Sequence, residues 1–247
     1  MRRLAAAAAA TALLAGLSGC ETTREQAARM AAGGDAAFRA EGLDVRRANR
    51  AVEVVETAVV SDPNGIAVVA TLRNTGRAAL ADVPIGLEVL DGSRRALARN
   101  DEPGLEHGLT HAALLPSGAT VTWVNDQVLA SGPGRPASAQ ITPGRAAPAP
   151  AGAEAIRLTF RSDGIEGDPA SGLYAAGQVL NGSDVPQRDL VIAAVARRGG
   201  RVVAAGRGIV PALKARGNAR FQAFFIGDPT GAEVTFDARP STFERPR

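Results

Sequence analysis

Val83-Pro84-Ile85-Gly86-Leu87-Glu88-Val89 decides the fold: Val83, Ile85, Leu87 and Val89 recur at every second residue. A strand turns successive side chains to opposite faces, so these four share one side of a sheet. Upstream, Ile66, Val68, Ala70 and Leu72 alternate in the same way, and downstream so do Val121 and Trp123 between Thr120, Thr122 and Val124. Ile156, Leu158 and Phe160 then alternate with Arg157 and Thr159, followed by Phe221, Ala223 and Phe225, and by Val234 and Phe236. Gly, Asn, Asp and Pro separate the runs. Short alternating runs punctuated in this manner predict an all-β fold of antiparallel strands.

The pattern occurs twice. Ile66-Ala-Val-Val-Ala-Thr-Leu-Arg-Asn74-Thr-Gly76 matches Leu173-Tyr-Ala-Ala-Gly-Gln-Val-Leu-Asn181-Gly-Ser183 at an offset of 107. At the same offset Asp82 falls on Asp189, Val83 on Leu190, Ile85 on Ile192 and Gly92 on Gly199. Each copy reads strand, Asn-containing turn, Asp followed by a strand, then a hairpin at Asp91-Gly92 or Gly199-Gly200. Asn74 and Asn181 are expected to serve structure, because Asn tolerates left-handed backbone and bonds its own chain in turns. Two copies are too few for a solenoid and predict two domains of one kind, at 51–143 and 153–240. The stretch 144–152, rich in Pro, Ala and Gly, reads as a semi-extended linker.

The order of these elements, with Leu115-Pro116-Ser117-Gly118 before an aromatic strand, resembles the FxLyD-type domains of bacterial envelope proteins. The late strand departs from that family's Phe-x-Leu-x-Asp-like pattern. It reads Trp123-Val124-Asn125-Asp126 in the first copy and Phe224-Phe225-Ile226-Gly227-Asp228 in the second. The resemblance implies two tandem immunoglobulin-like antiparallel β-sandwiches and carries no catalytic residues with it.

Before the repeats, Arg2 and Arg3 precede an uncharged, alanine-dominated run from Leu4 to Leu17, which ends in Leu17-Ser18-Gly19-Cys20. A basic start, a short apolar run and small residues before a cut describe a secretory signal peptide over 1–19. The run is short for a hydrocarbon core of roughly 30 Å. Its last four residues resemble a bacterial lipobox, which implies cleavage before Cys20 and lipid on its thiol. An ordinary signal peptide and an uncleaved span are the alternatives. Residues 20–50, polar and charged around Gly33-Gly34, read as a lipidated stem, and 241–247 as a tail. The expected location is extracytoplasmic, on the cell membrane or on the outer membrane of a cell with two.

Cys20 is the single cysteine, which excludes an internal disulfide and any cysteine cluster for metal. The chain carries 28 basic and 25 acidic residues. Without Arg2 and Arg3 the balance is 26 against 25, and no basic cluster indicates nucleic acid. His107 and His111, the two histidines, lie with Glu106 in a polar segment where the first copy is longer by about eight residues, a reasonable place for function. His-x3-His matches half of many zinc sites, yet Pro103 and Gly108 oppose a regular helix, and a solvated loop is the competing account. Ser117 and Ser131 lack a nucleophile elbow. Asp163, Glu166 and Asp168 lie in a stretch, Ser162–Ser171, that reads as a solvated loop without EF-hand spacing. Trp123 alternates as a core residue does. Phe221, Phe224 and Phe225 cover both faces of one strand, so Phe224 is the candidate for an exposed contact.

Together these features predict a lipid-anchored, non-catalytic envelope protein, without cofactor, that binds a protein or another ligand. The alternatives are a metal-binding or metal-dependent hydrolytic lipoprotein using residues 101–111, and a carbohydrate-binding module. Changing Cys20→Ser is expected to leave residues 1–19 attached and the chain without fatty acyl groups, as read by intact-mass spectrometry.

Overall fold

The alternating runs form strands, all paired antiparallel, in a computed structural model that describes residues 43, 45–131, 133–168 and 172–244. Cys20, the expected leader and most of the expected stem lie outside the described residues. The first repeat runs β1 (Val52–Asp62), β2 (Gly65–Asn74), β3 (Leu80–Asp91) and β4 (Ala96–Arg99). A 3₁₀ turn (His107–Leu109), β5 (His111–Leu115), β6 (Thr120–Asn125), β7 (Pro136–Pro143) and β8 (Ala147–Pro148) follow. The second repeat runs β9 (Leu158–Asp168), β10 (Gly172–Asn181), β11 (Gln187–Arg198), β12 (Arg201–Leu213), β13 (Asn218–Gly227) and β14 (Glu233–Asp237). No helix among the described residues is long and apolar enough to cross a membrane.

Both repeats follow one plan. In the first, β1-β2-β6 form one sheet, while β3 is flanked by β4 and β5 on one side and by β7 and β8 on the other. In the second, β9-β10-β13 match the former and β12-β11-β14 the latter. The difference lies in the strand after the hairpin. Residues 100–110 split it into β4 and β5 in the first repeat, whereas β12 is unbroken. Its residues Ala204–Arg207 also pair with β13, joining the second repeat into one six-stranded sheet. The rings of Phe160, Phe221 and Phe236, from β9, β13 and β14, meet in its core at centroid distances of 5.2–6.0 Å.

Residues 41–247 form one compact unit. The reason is visible in β2. Val68, Ala70 and Leu72 pack with Val83, Ile85, Leu87 and Val89 in the core of the first repeat. Ala67 and Val69, on the opposite face, pack with Ala193, Val195, Ala205 and Ile226 of the second. The strand is therefore buried on both faces, which its uninterrupted apolar run from Ile66 to Ala70 allows. An ion pair of Glu56 with Arg197, at 2.6 Å, also links the repeats. Hydrogen bonds from Arg197 hold the Glu56 carboxyl below its ordinary range.

Two stretches read from composition as spacers touch the body. Ala48 forms an antiparallel bridge with Gly144, and Ala147–Pro148 pair as β8 with the start of β3. An edge strand tolerates proline because one side of its backbone needs no ladder partner, and small side chains permit the approach. At Gly144 a Cβ would fall 2.7 Å from Pro84 Cγ. The stretch from Ser162 onward, read as a loop, continues as strand β9 to Asp168.

Asn74 and Asn181 take the same structural place. Asn74 donates from Nδ2 to the carbonyls of Ala78 and Leu115, each at 2.9 Å, and accepts from Gly76 N–H. Asn181 donates to Val185 and Lys214 and accepts from Ser183 N–H. Each ties its turn to the strand-end segment opposite, and both are buried. The left-handed backbone falls to the matched pair Asp82 and Asp189, at φ of 53° and 45°. Asn74→Ala and Asn181→Ala are each expected to lower unfolding free energy by about 1–3 kcal/mol, because buried carbonyls lose their donor. Urea denaturation of the two variants checks this.

Candidate functional site

The segment that lengthens the first repeat is pinned from beneath by buried amides. Asn100 accepts from Leu87 N–H at 2.7 Å and donates to the carbonyls of Ile85 and Leu109. Asn125 donates to the Leu109 carbonyl as well, and the Trp123 indole N–H donates to that of Gly108 at 2.9 Å. Trp123 is 5% exposed. It therefore supports the segment from the core and offers no stacking face to a sugar ring.

From above, the segment meets the second repeat through Arg207. This side chain is 3% exposed, and its Nε lies 2.8 Å from Asp126 Oδ1. Its backbone N–H donates to Asp126 Oδ2, and its Nη1 donates to Glu106 Oε2 at 2.8 Å. Glu106 uses its other oxygen to accept from Gly108 N–H, capping the 3₁₀ turn. A Cβ on Gly108 would stand 2.9 Å from Val191 Cγ2 and 3.0 Å from Arg207 Nη1. Glycine is what lets the segment close on β11 and β12.

The turn brings His107 and His111 together without a helix. Their rings stack at 4.1 Å between centroids, 11° from parallel. Asp82, from the left-handed position in β3, places Oδ1 2.5 Å from His107 Nε2. One ligand atom from each of Asp82, His107 and His111 lies within 4.8 Å of the others. Burial lowers the His111 pKa, and electrostatic repulsion from the neighbouring His107 lowers it further, against the opposing pull of Asp82. Of the sequence candidates, His107 and His111 thus converge, while Glu106 turns away to Arg207. Asp82, 25 residues before His107, takes its place.

Beside this cluster a cleft of about 370 Å³ opens between the repeats. Ala113, Val124, Val191 and Ala193 give it apolar walls, and His107, His111, Arg188 and Arg239 stand among its polar lining. Arg239 Nε is buried 3.0 Å from Asp237 Oδ1 without the alignment of a hydrogen bond. The Asp237 carboxylate in turn accepts from Thr122 N–H of β6, tying the cleft's two sides together. No protein-family model matches the chain, and no curated protein matches it in sequence.

The remaining sequence candidates have other partners. Ser117 Oγ donates to the Gly76 carbonyl and Ser131 Oγ to that of Leu97. Asp163 pairs with Arg220, and Glu166 accepts from the Tyr174 hydroxyl. Phe224 is 54% exposed and packs against the Tyr174 ring at 5.0 Å, away from the cleft lining. Arg207, Arg188 and Asp82 escaped the sequence reading. The signal for Arg207 was present as Gly206-Arg207-Gly208, a lone charge between glycines inside an apolar strand.

Removing Asp126 leaves a buried guanidinium short of a counter-charge. Asp126→Ala is expected to cost about 3 kcal/mol of stability. Glu106→Ala, removing a half-exposed carboxylate, is expected to cost about 1 kcal/mol. Thermal and urea unfolding of the two variants checks the order.

Proposed function

We propose that this chain is a non-catalytic binding protein of the cell envelope, lipid-anchored through Cys20, whose ligand occupies the cleft between the repeats. The observation that carries the reading is Arg188. Its side chain is exposed at the cleft and has no hydrogen bond or ion pair among the described residues. A guanidinium without an ion-pair partner beside apolar walls suits a ligand with an apolar body and a carboxylate, such as an acidic peptide segment. The resemblance to FxLyD-type tandem domains belongs to the same proposal, with the two repeats as the immunoglobulin-like units.

Two observations favour binding over hydrolysis. Glu106, the nearest carboxylate in sequence to the histidines, is committed to Arg207 and Gly108. The hydroxyls of Ser117 and Ser131 donate to backbone carbonyls.

Copurification of the full-length chain from its native membrane tests the proposal. Ala113→Trp, which fills the cleft, and Arg188→Glu, which reverses its charge, are each expected to lose the partner. Leu180→Ser, outside the cleft, is expected to keep it. A partner retained by both cleft variants, with melting temperatures like that of the parent, would sink the reading.

A further inference from the structure

Asp82, His107 and His111 bring one potential ligand atom each within 4.8 Å of one another beside the cleft, and hydrogen-bond logic bears on which atoms these are. Thr110 Oγ1 donates to the His107 carbonyl at 3.0 Å, so its proton is used. It also lies 2.9 Å from His111 Nδ1. With its proton committed, the hydroxyl oxygen acts there as acceptor and Nδ1 carries the hydrogen. The lone pair of His111 is then on Nε2. A hydroxyl that fixes the tautomer of an imidazole is the outer-shell arrangement common around ligating histidines.

His107 offers Nε2 to the same region, where it meets Asp82 Oδ1. These two atoms stand 2.5 Å apart. A metal ion held at about 2.0–2.2 Å by each would need them roughly 3 Å apart. The movement this requires is under about an ångström, and neither side chain resists it by packing: they are 65% and 61% exposed. The backbone beneath is fixed by Asn100, Asn125 and Trp123, so the positions persist while the side chains adjust.

We propose that Asp82, His107 and His111 bind one divalent first-row transition-metal ion, with zinc or copper as the fitting class. Two imidazole nitrogens and one carboxylate oxygen suit such ions and not calcium or magnesium, which take all-oxygen shells. Three protein ligands leave further coordination positions open, and since His107 and His111 line the cleft, a ligand there can reach them. The site stands whether or not the cleft holds the partner proposed above.

Calorimetric titration of the chelator-stripped, tag-free full-length chain with zinc chloride alone provides the test. One zinc per chain is expected, with no saturable heat from calcium or magnesium at the same concentrations. His107→Ala and His111→Ala are each expected to weaken zinc binding more than about 10-fold, or about 1.4 kcal/mol. Asp82→Asn, which suits the left-handed backbone, is expected to weaken it less, and Glu106→Gln to leave it unchanged. A folded parent that gives no saturable zinc binding would overturn the site. So would parent-like binding by His107→Ala, or loss in Glu106→Gln as large as in His107→Ala. Should His111→Ala fail to fold, the exposed His107 decides. Partner capture plays no part in this readout, so failure of the metal site and failure of the cleft's occupant are told apart.

Discussion

One buried guanidinium governs how the two repeats meet. Arg207 projects from β12, is almost wholly withdrawn from water, and finds both its carboxylates, Asp126 and Glu106, in the first repeat. Burying an ion pair gives little net stability, since desolvation offsets much of the attraction. What it does impose is position: a guanidinium left without those two partners is costly, so other placements of the repeats are penalised. The apolar contact of β2 with β11, β12 and β13 supplies non-directional adhesion. Arg207 supplies direction, and it does so through the segment that carries the histidines.

The two repeats show how a short insertion redirects one architecture. Where β12 runs unbroken, its residues Ala204–Arg207 remain free to pair with β13, and Gly206 and Gly208 leave room for the β13 backbone that lies against them. The corresponding strand in the first repeat is interrupted between Arg99 and His111. The residues gained there leave the ladder, so their backbone groups need other partners. Asn100, Asn125 and the Trp123 indole satisfy the carbonyls of Gly108 and Leu109, and Glu106 satisfies Gly108 N–H. A segment so well satisfied is a firm platform, which is why exposed side chains upon it can be placed closely.

Period-two alternation made the all-β class legible, because side-chain direction in a strand is fixed by local geometry. The offset of 107 likewise marked Asn74 and Asn181, whose bonds are local to their turns. What escaped was set by distance along the chain. Glu106 looked like the third member of the histidine group because it is adjacent, yet the fold turns it to Arg207, about a hundred residues away. Asp82 enters instead because β3 runs beside β5. Composition marked 144–152 as a spacer, since alanine and proline have little to bury. It could not reveal that the first half of β3 would have a free edge for them to cover.

The cleft follows from these same constraints. Residues of β5 and β6 line it on one repeat and residues of β11 on the other. One side is tied shut by the Asp237 carboxylate accepting from Thr122 N–H, another by Glu106 and Arg207. In each of these ties a carboxylate accepts from a donor of the other repeat. Arg188 is different: no acid pairs with its side chain among the described residues, although Asp189 follows it directly and lines the same cleft. An unpaired guanidinium thus faces the cleft, beside the carboxylates of Glu106, Asp189 and Asp237 that share its lining. The histidine pair stands at the same opening. An occupant that brings a carboxylate to Arg188 stands within reach of any ion those imidazoles hold, so the two sites share one entrance even though each can be tested alone.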